Sequence, residues 1–215
     1  MKTADIEVTY LGSYGTDLEV VNAARVSFHK QANTMSGQDG KLISYLAKHK
    51  HHSPFNHAFL SFRVKAPIFV ARQLVKHKFM PWNEVSRRYV DDEPEFYFPE
   101  YWRARAANVK QGSSEERIDI DEAWLKLEMG DVVRKYEQAL AVGVCPEQAR
   151  MVLPQNTMTE WVWSGTLGAF LDMLVLRLDS HTQKETRDVA EKIAVFVKNI
   201  FPVSYAAYIK EPHES

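Results

Sequence analysis

Between His57 and Lys65 the side chains alternate: Ala58, Leu60, Phe62 and Val64 fall on one face, and Phe59, Ser61, Arg63 and Lys65 on the other. A period of two is what a strand with one buried face requires. Pro67 follows at once and opens a run suited to a helix, so residues 67–78 are expected to be helical, since proline is at home in the first helical turn. The other segments fit this strand-to-helix core. Residues 6–10 alternate like a second strand, punctuated by Gly12 to Gly15. Asp17 is placed as the N-cap of a helix carrying Leu18, Val20, Val21, Ala24 and Val26. Leu42, Tyr45 and Leu46 mark a second apolar stripe, and a strand is expected at 159–163. Helices are expected near 121–142, 146–153, 166–178 and 182–200, with Pro146 at a first helical position and Pro202 following the last. Between Arg103 and Asp119 the periodicity disappears, so an exposed loop or insertion is expected at 103–119. The expected fold is α+β, a mainly antiparallel sheet flanked by helices, with residues 1–215 forming a single domain.

Composition removes several functional classes. A formal net charge of −1 gives no long-range attraction for a polyanion, so neither nucleic acid nor an acidic membrane is an expected partner. Cys145 is the only cysteine, which excludes an intrachain disulfide; it is expected to be a buried structural thiol. Residues 1–5 lack the apolar core of a signal peptide and no membrane-length apolar run occurs, so a cytoplasmic location is expected. His51, His52 and His57 fit none of the usual zinc spacings and are expected at a polar helix end and loop.

One segment concentrates anion-binding groups in this near-neutral chain. Arg72, Gln73, Lys76, His77 and Lys78 are followed by Asn83, Glu84, Ser86, Arg87 and Arg88. On a helix, Arg72 and Lys76 would lie one turn apart with Gln73 beside them. Taken alone, the plainer reading is favoured: basic residues complement a helix C-terminus and the arginine pair sits in a solvated turn. A basic and aromatic surface for single-stranded nucleic acid is disfavoured by the acidic run Asp91, Asp92, Glu93 and Glu95.

The order of residues decides more than their density. Lys76-His77-Lys78, seven residues and then Ser86 resemble the Arg-His-Arg, seven residues, Ser signature of flavin-dependent thymidylate synthases. The similarity extends to Ala23 through Ser27, Ser53 through Phe55, Lys65 through Gln73, Asn83-Glu84, Ser86 through Tyr89, Ala149-Arg150 to Pro154, and Leu176-Arg177 to His181. These blocks run in family order over most of the chain.

The resemblance implies methylation of dUMP with methylenetetrahydrofolate, FAD and NADPH, in a homotetramer whose active sites are shared between subunits. Carried over by match, Gln73, Ser86, Arg88 and Arg150 would hold the dUMP phosphate, a task for charge-assisted hydrogen bonds. Leu74, Lys76, Glu84 and Arg87 would lie nearby. Arg177 matches the arginine that contacts uracil, where a cation stabilises developing negative charge. Ser86 is assigned to positioning and catalysis without covalency, because no histidine is placed by sequence as its base. FAD contacts would come from Ser27, Ser53, Lys76, His77, Lys78, Glu84, Thr166 and Asp172. Without the match, structural roles would be favoured for all of these except the pair of Ser86 and Arg88.

Several positions depart from the family. Lysine replaces both signature arginines, exchanging a planar fork for a point charge. Thr166, Gly168 and Asp172 stand where Asn, Arg and Asn are common, and Asn56 where an acid is usual. A carboxylate at 172 calls for a compensating cation, for which Lys76 or Lys78 is expected. Two further readings therefore remain open: a dUMP hydroxymethylase of the same fold, and a silent nucleotide-binding relative.

Overall fold

The computed structural model describes residues 1–107 and 113–209. Among these, the central sheet has four antiparallel strands in the order β2-β3-β8-β4: β2 (Glu7–Tyr14), β3 (Phe59–Pro67), β8 (Met158–Thr166) and β4 (Trp82–Glu84). A short strand β1 (Lys2–Thr3) runs parallel to β5 (Glu95–Phe96) at one side. The alternation seen in the sequence becomes the division between the two faces. Leu60, Phe62, Val64 and Ala66 of β3 are buried, opposite Trp161 and Trp163 of β8, whereas Phe59 and Arg63 are exposed.

Helices cover the buried face. α3 (Ile68–Leu74) continues directly from β3, and α6 (Leu167–Arg177) from β8. α6 is apolar on most sides and buries Leu167, Phe170, Leu171, Met173 and Leu174. α7 (Lys184–Ile200) is amphipathic, with Val189, Ala190, Ile193, Ala194 and Val197 turned inward. α1 (Asp17–Arg25), α2 (Gly37–Lys48) and α8 (Pro202–Tyr208) pack on one another, and α4 (Glu122–Ala141) packs on α5 (Pro146–Ala149).

Four expectations are corrected. The cap of α1 is Thr16, in a capping box with Glu19, and not Asp17. Asp17 is 4% exposed; its carboxylate accepts from the Val203 and Ser204 amides at 2.8 and 2.9 Å and from Ser204 Oγ at 2.5 Å. It thus supplies to α8 the acceptors that Phe201, at that helix's N-cap, lacks. The loop expected at 103–119 is paired: β6 (Trp102–Arg105) and β7 (Ser113–Ile118) are antiparallel partners in a hairpin, and residues 108–112 lie outside the described residues. Its strands are rich in Arg, Ser and Glu, so no apolar alternation advertises them. The helix expected over 67–78 stops at Leu74, and Val75 to Lys78 form the turn that leads to β4. Cys145 is exposed rather than buried, at the N-cap of α5. Pro202, besides following α7, opens α8.

Candidate active site

The turn after α3 aims the signature residues in different directions. His77 is half-buried, while Lys76 and Lys78 are exposed. Arg177, at the end of α6, donates from Nε to His77 Nε2 at 3.0 Å and from Nη2 to the Gln73 carbonyl at 3.1 Å. This ties α6 to the end of α3. An imidazole that accepts at Nε2 must be unprotonated there, and burial, with the Arg177 charge second, pushes His77 down to about 4. Burial also lowers Arg177, which is a desolvated cation with few partners. Leu74 has its side chain in the core at 0% exposure, so the expected contact from it is confined to backbone.

Beyond the turn, edge strand β4 presents Glu84. Both of its carboxylate oxygens are engaged, one by Trp82 Nε1 at 2.9 Å and the other by Thr159 Oγ1 at 2.7 Å. Trp82 is itself stacked on Trp161, ring centroids 4.3 Å apart. Chain reversal follows at Ser86, whose carbonyl accepts from Tyr89 N at 2.9 Å. Arg88 Nε lies 3.2 Å from Ser86 Oγ, and its guanidinium covers the Tyr89 ring. Arg87 donates to the Asp92 carbonyl at 3.0 Å. A cavity of about 400 Å³ opens here, lined by Lys65, Glu84, Arg87, Arg150 and Thr159 among others. Its wall carries both signs, with Arg87 and Arg150 beside the carboxylates of Glu84, Asp92, Glu93, Glu95 and Glu160, so the two arginines are its points of attachment for a phosphate.

A second cavity, of about 410 Å³, lies on the far side of His77 and is lined by His52, Asn56, His77, Lys78, Thr166 and Asp172. Thr166 caps α6, accepting from Ala169 N, and donates to Asn56 Oδ1 at 2.8 Å. A methyl group added at Gly168 would come within 2.6 Å of that same oxygen, so no side chain fits there while Asn56 keeps its place. Burial raises the Asp172 carboxyl, and the charge opposing the rise is His52 rather than the expected Lys76 or Lys78. Tyr208 of α8 supports the wall from behind, packing on Phe55 and reaching His52 Nδ1 at 3.3 Å. Lys78, Asp172, two histidines and the neutral side chains of Asn56 and Thr166 suit one end of a flavin dinucleotide: Lys78 for phosphate, Asp172 for hydroxyl donors.

The expected site residues thus fall into three neighbouring groups. Glu84, Arg87 and Arg150 line the first cavity, with Ser86 and Arg88 in the adjoining turn; His77, Lys78, Thr166 and Asp172 line the second, with Ser53 next to His52; Gln73 and Arg177 join them at His77. Ser27, in a turn of 3-10 helix after α1, and Lys76 line neither cavity. Trp82, Thr159 and His52 were missed by sequence reasoning. An Nε1–H two residues before a carboxylate was a possible signal for Trp82, and nothing local pointed to Thr159.

An antiparallel sheet flanked by helices, with a half-buried arginine at the end of α6, a cleft that presents arginines and a second polar cavity, fits the class of nucleotide-modifying enzymes. Residues 10–203 match the family model described as thymidylate synthase complementing protein. The chain is 38% identical over 200 residues to the flavin-dependent thymidylate synthase of Thermosipho melanesiensis, covering 91% of this chain and 87% of that one. It is 40% identical over 202 residues to that of Thermus thermophilus, with 94% and 74% covered. Among solved structures, a UMP/dUMP methylase PolB from Streptomyces cacaoi, bound with 5-Br dUMP, superimposes with a TM-score of 0.86 at 29% identity, covering 97% of each chain. The chain belongs to the flavin-dependent thymidylate synthase family.

Proposed function

We propose that this protein converts dUMP to dTMP, taking the one-carbon unit from methylenetetrahydrofolate and reducing equivalents from NADPH through FAD. The observation that carries the reading is Arg177, held between the Gln73 carbonyl and Nε2 of His77, a residue of the second cavity's wall. A partly desolvated guanidinium so fixed is suited to stabilising charge that develops on a pyrimidine ring. Arg87, Arg88, Arg150 and Ser86 bind the nucleotide phosphate, and Glu84, immobilised by Trp82 and Thr159, orients what enters the first cavity. Lys78, Thr166, Asp172 and Ser53 hold FAD, which when bound supplies the hydride that completes the methyl group. Neutral His77 keeps Arg177 in place without adding a second charge.

A homotetramer with shared sites is supported by exposed apolar residues flanking both cavities. Phe79, in the wall of the second cavity, is 91% exposed, and Tyr89, in the turn beside the first, 75%. Among the described residues no helix is long and apolar enough to cross a membrane, and soluble substrates favour the cytoplasm. The PolB structure, described as that of a UMP/dUMP methylase, favours testing UMP as a second acceptor.

The experiment is mass spectrometry of the nucleotide after anaerobic incubation with dUMP, methylenetetrahydrofolate, FAD and NADPH, with UMP in a parallel reaction. A product of dTMP mass is expected. A hydroxymethylated product, or unchanged dUMP bound to a colourless protein, would overturn the proposal in favour of the hydroxymethylase or the silent binder respectively.

A further inference from the structure

Gln183 stands at the N-cap of α7, a place usually held by Ser, Thr, Asp or Asn, yet its side chain caps nothing in that helix. It is engaged elsewhere. Its Nε2 donates to Glu185 Oε2 at 3.0 Å, and its Oε1 accepts from Gln73 Nε2 at 2.5 Å. Glu185, 4% exposed, takes Arg103 Nη2 of the β6–β7 hairpin on its other oxygen at 2.7 Å. A line of four side chains therefore runs from the hairpin to the residue whose backbone carbonyl holds Arg177.

The chemistry of that line permits only one orientation. Amide nitrogen and oxygen are told apart by their partners, and an ionised carboxylate offers acceptors alone. Gln183 must therefore turn its NH₂ toward Glu185, which leaves its oxygen for Gln73. Gln73 must in turn direct its NH₂ at Gln183, and its Oε1, for which no partner occurs among the described residues, is the atom left outward. Reversing either amide sets oxygen against oxygen at a part-buried contact.

We propose that Glu185, acting through Gln183, is a positioning residue for the nucleotide: it fixes the amide of Gln73 with Oε1 presented to an N–H or O–H donor of the bound nucleoside. This rests on the reading of Gln73 as a dUMP ligand, but moves its contact from the phosphate, where the resemblance placed it and which offers no donor to an acceptor oxygen, to the nucleoside. The hairpin, through Arg103, anchors the charge but does not itself orient the amide.

The test uses full-length protein with Glu185→Gln, Gln183→Leu and Arg103→Met, measuring dUMP affinity by calorimetry, FAD affinity by flavin fluorescence and thermal stability for each. Glu185→Gln lets the chain of amides run in either direction, and Gln183→Leu cuts it while leaving the ion pair intact. Both are expected to weaken dUMP about tenfold, equivalent to about 1.4 kcal/mol, with FAD affinity unchanged. Arg103→Met is expected to lower stability yet keep dUMP within about twofold of the wild type, because the carboxylate still orients the line. Nucleotide affinity that follows thermal stability across all three variants, or that survives Gln183→Leu, would overturn the proposal. Wild-type protein that bound no dUMP would overturn the functional reading, and this inference with it.

Discussion

Asp17 offers the sharpest test of how the second cavity is held together. Replacing it with alanine removes the acceptor for two amides and a hydroxyl at the start of α8, where Ser204 is fully buried. Each stranded buried donor costs about 1–3 kcal/mol, and the two on Ser204 together give about 3 kcal/mol after local relaxation. That is a large share of a total that is commonly about 5–15 kcal/mol. For a chain of this size about 1 kcal/mol moves the midpoint by about 2–4 °C, so a fall of about 6–12 °C is expected. Because α8 carries Tyr208 against Phe55 and His52, FAD affinity is expected to fall with it. The assay is thermal unfolding of Asp17→Ala at the wild type's protein concentration, beside Ser204→Ala and the double variant. Ser204→Ala removes only the hydroxyl and is expected to cost about 1 kcal/mol. The double variant should cost less than the sum, since the two share a contact. A midpoint within about 2 °C of the wild type for Asp17→Ala, or full additivity, would refute the account of Asp17 as a cap for α8.

Four further outcomes are expected. His77 should titrate near 4 in the folded protein against 6.5 when unfolded, so the stability its neutral ring contributes is complete above about 6.5 and is lost as pH falls toward 4; an NMR titration with a midpoint near 6.5 would contradict this. Arg177→Met should raise that midpoint by less than half the depression, because burial is the larger cause. Trp82→Phe should keep the stack on Trp161 and so most of the stability, yet raise the dUMP KM by freeing one oxygen of Glu84, whereas Trp82→Ala should also destabilise by about 1 kcal/mol or more; equal KM values for Trp82→Phe and the wild type would argue against the bond. Gly168→Ala should displace Asn56 and weaken FAD, and Asn56→Ala in the same chain should relieve the crowding; unchanged flavin fluorescence titration in the single variant would exclude the clash.

The elements legible in the sequence are those whose signal is local. β3 and β8 announce themselves by alternation, α6 and α7 by apolar spacing, and each strand runs straight into its helix as expected. The signature turn was legible through order and spacing, which place Glu84, Ser86 and Arg88 beyond one bend. The β6–β7 hairpin was not, because both its faces are polar and only backbone pairing distinguishes it from a loop. The early end of α3 was also hidden: Val75 to Lys78 have adequate helix propensity, and packing of His77 against Arg177 decides the turn.

What the sequence by itself determined is therefore the set of elements, the family and the order of the reactive residues, since periodicity, capping chemistry and motif spacing act over a few neighbouring positions. Tertiary structure alone decided which groups meet. It sent Asp17 to a helix 186 and 187 residues away instead of to its own, and it set His52 rather than a signature lysine against Asp172. It also joined Arg103, Glu185, Gln183 and Gln73 into one polar line. The physical reason is plainest for Asp17 and for Glu185 in the polar line, both 4% exposed. A buried polar group must find a partner once water is removed, and only the packed chain determines which partner is within reach.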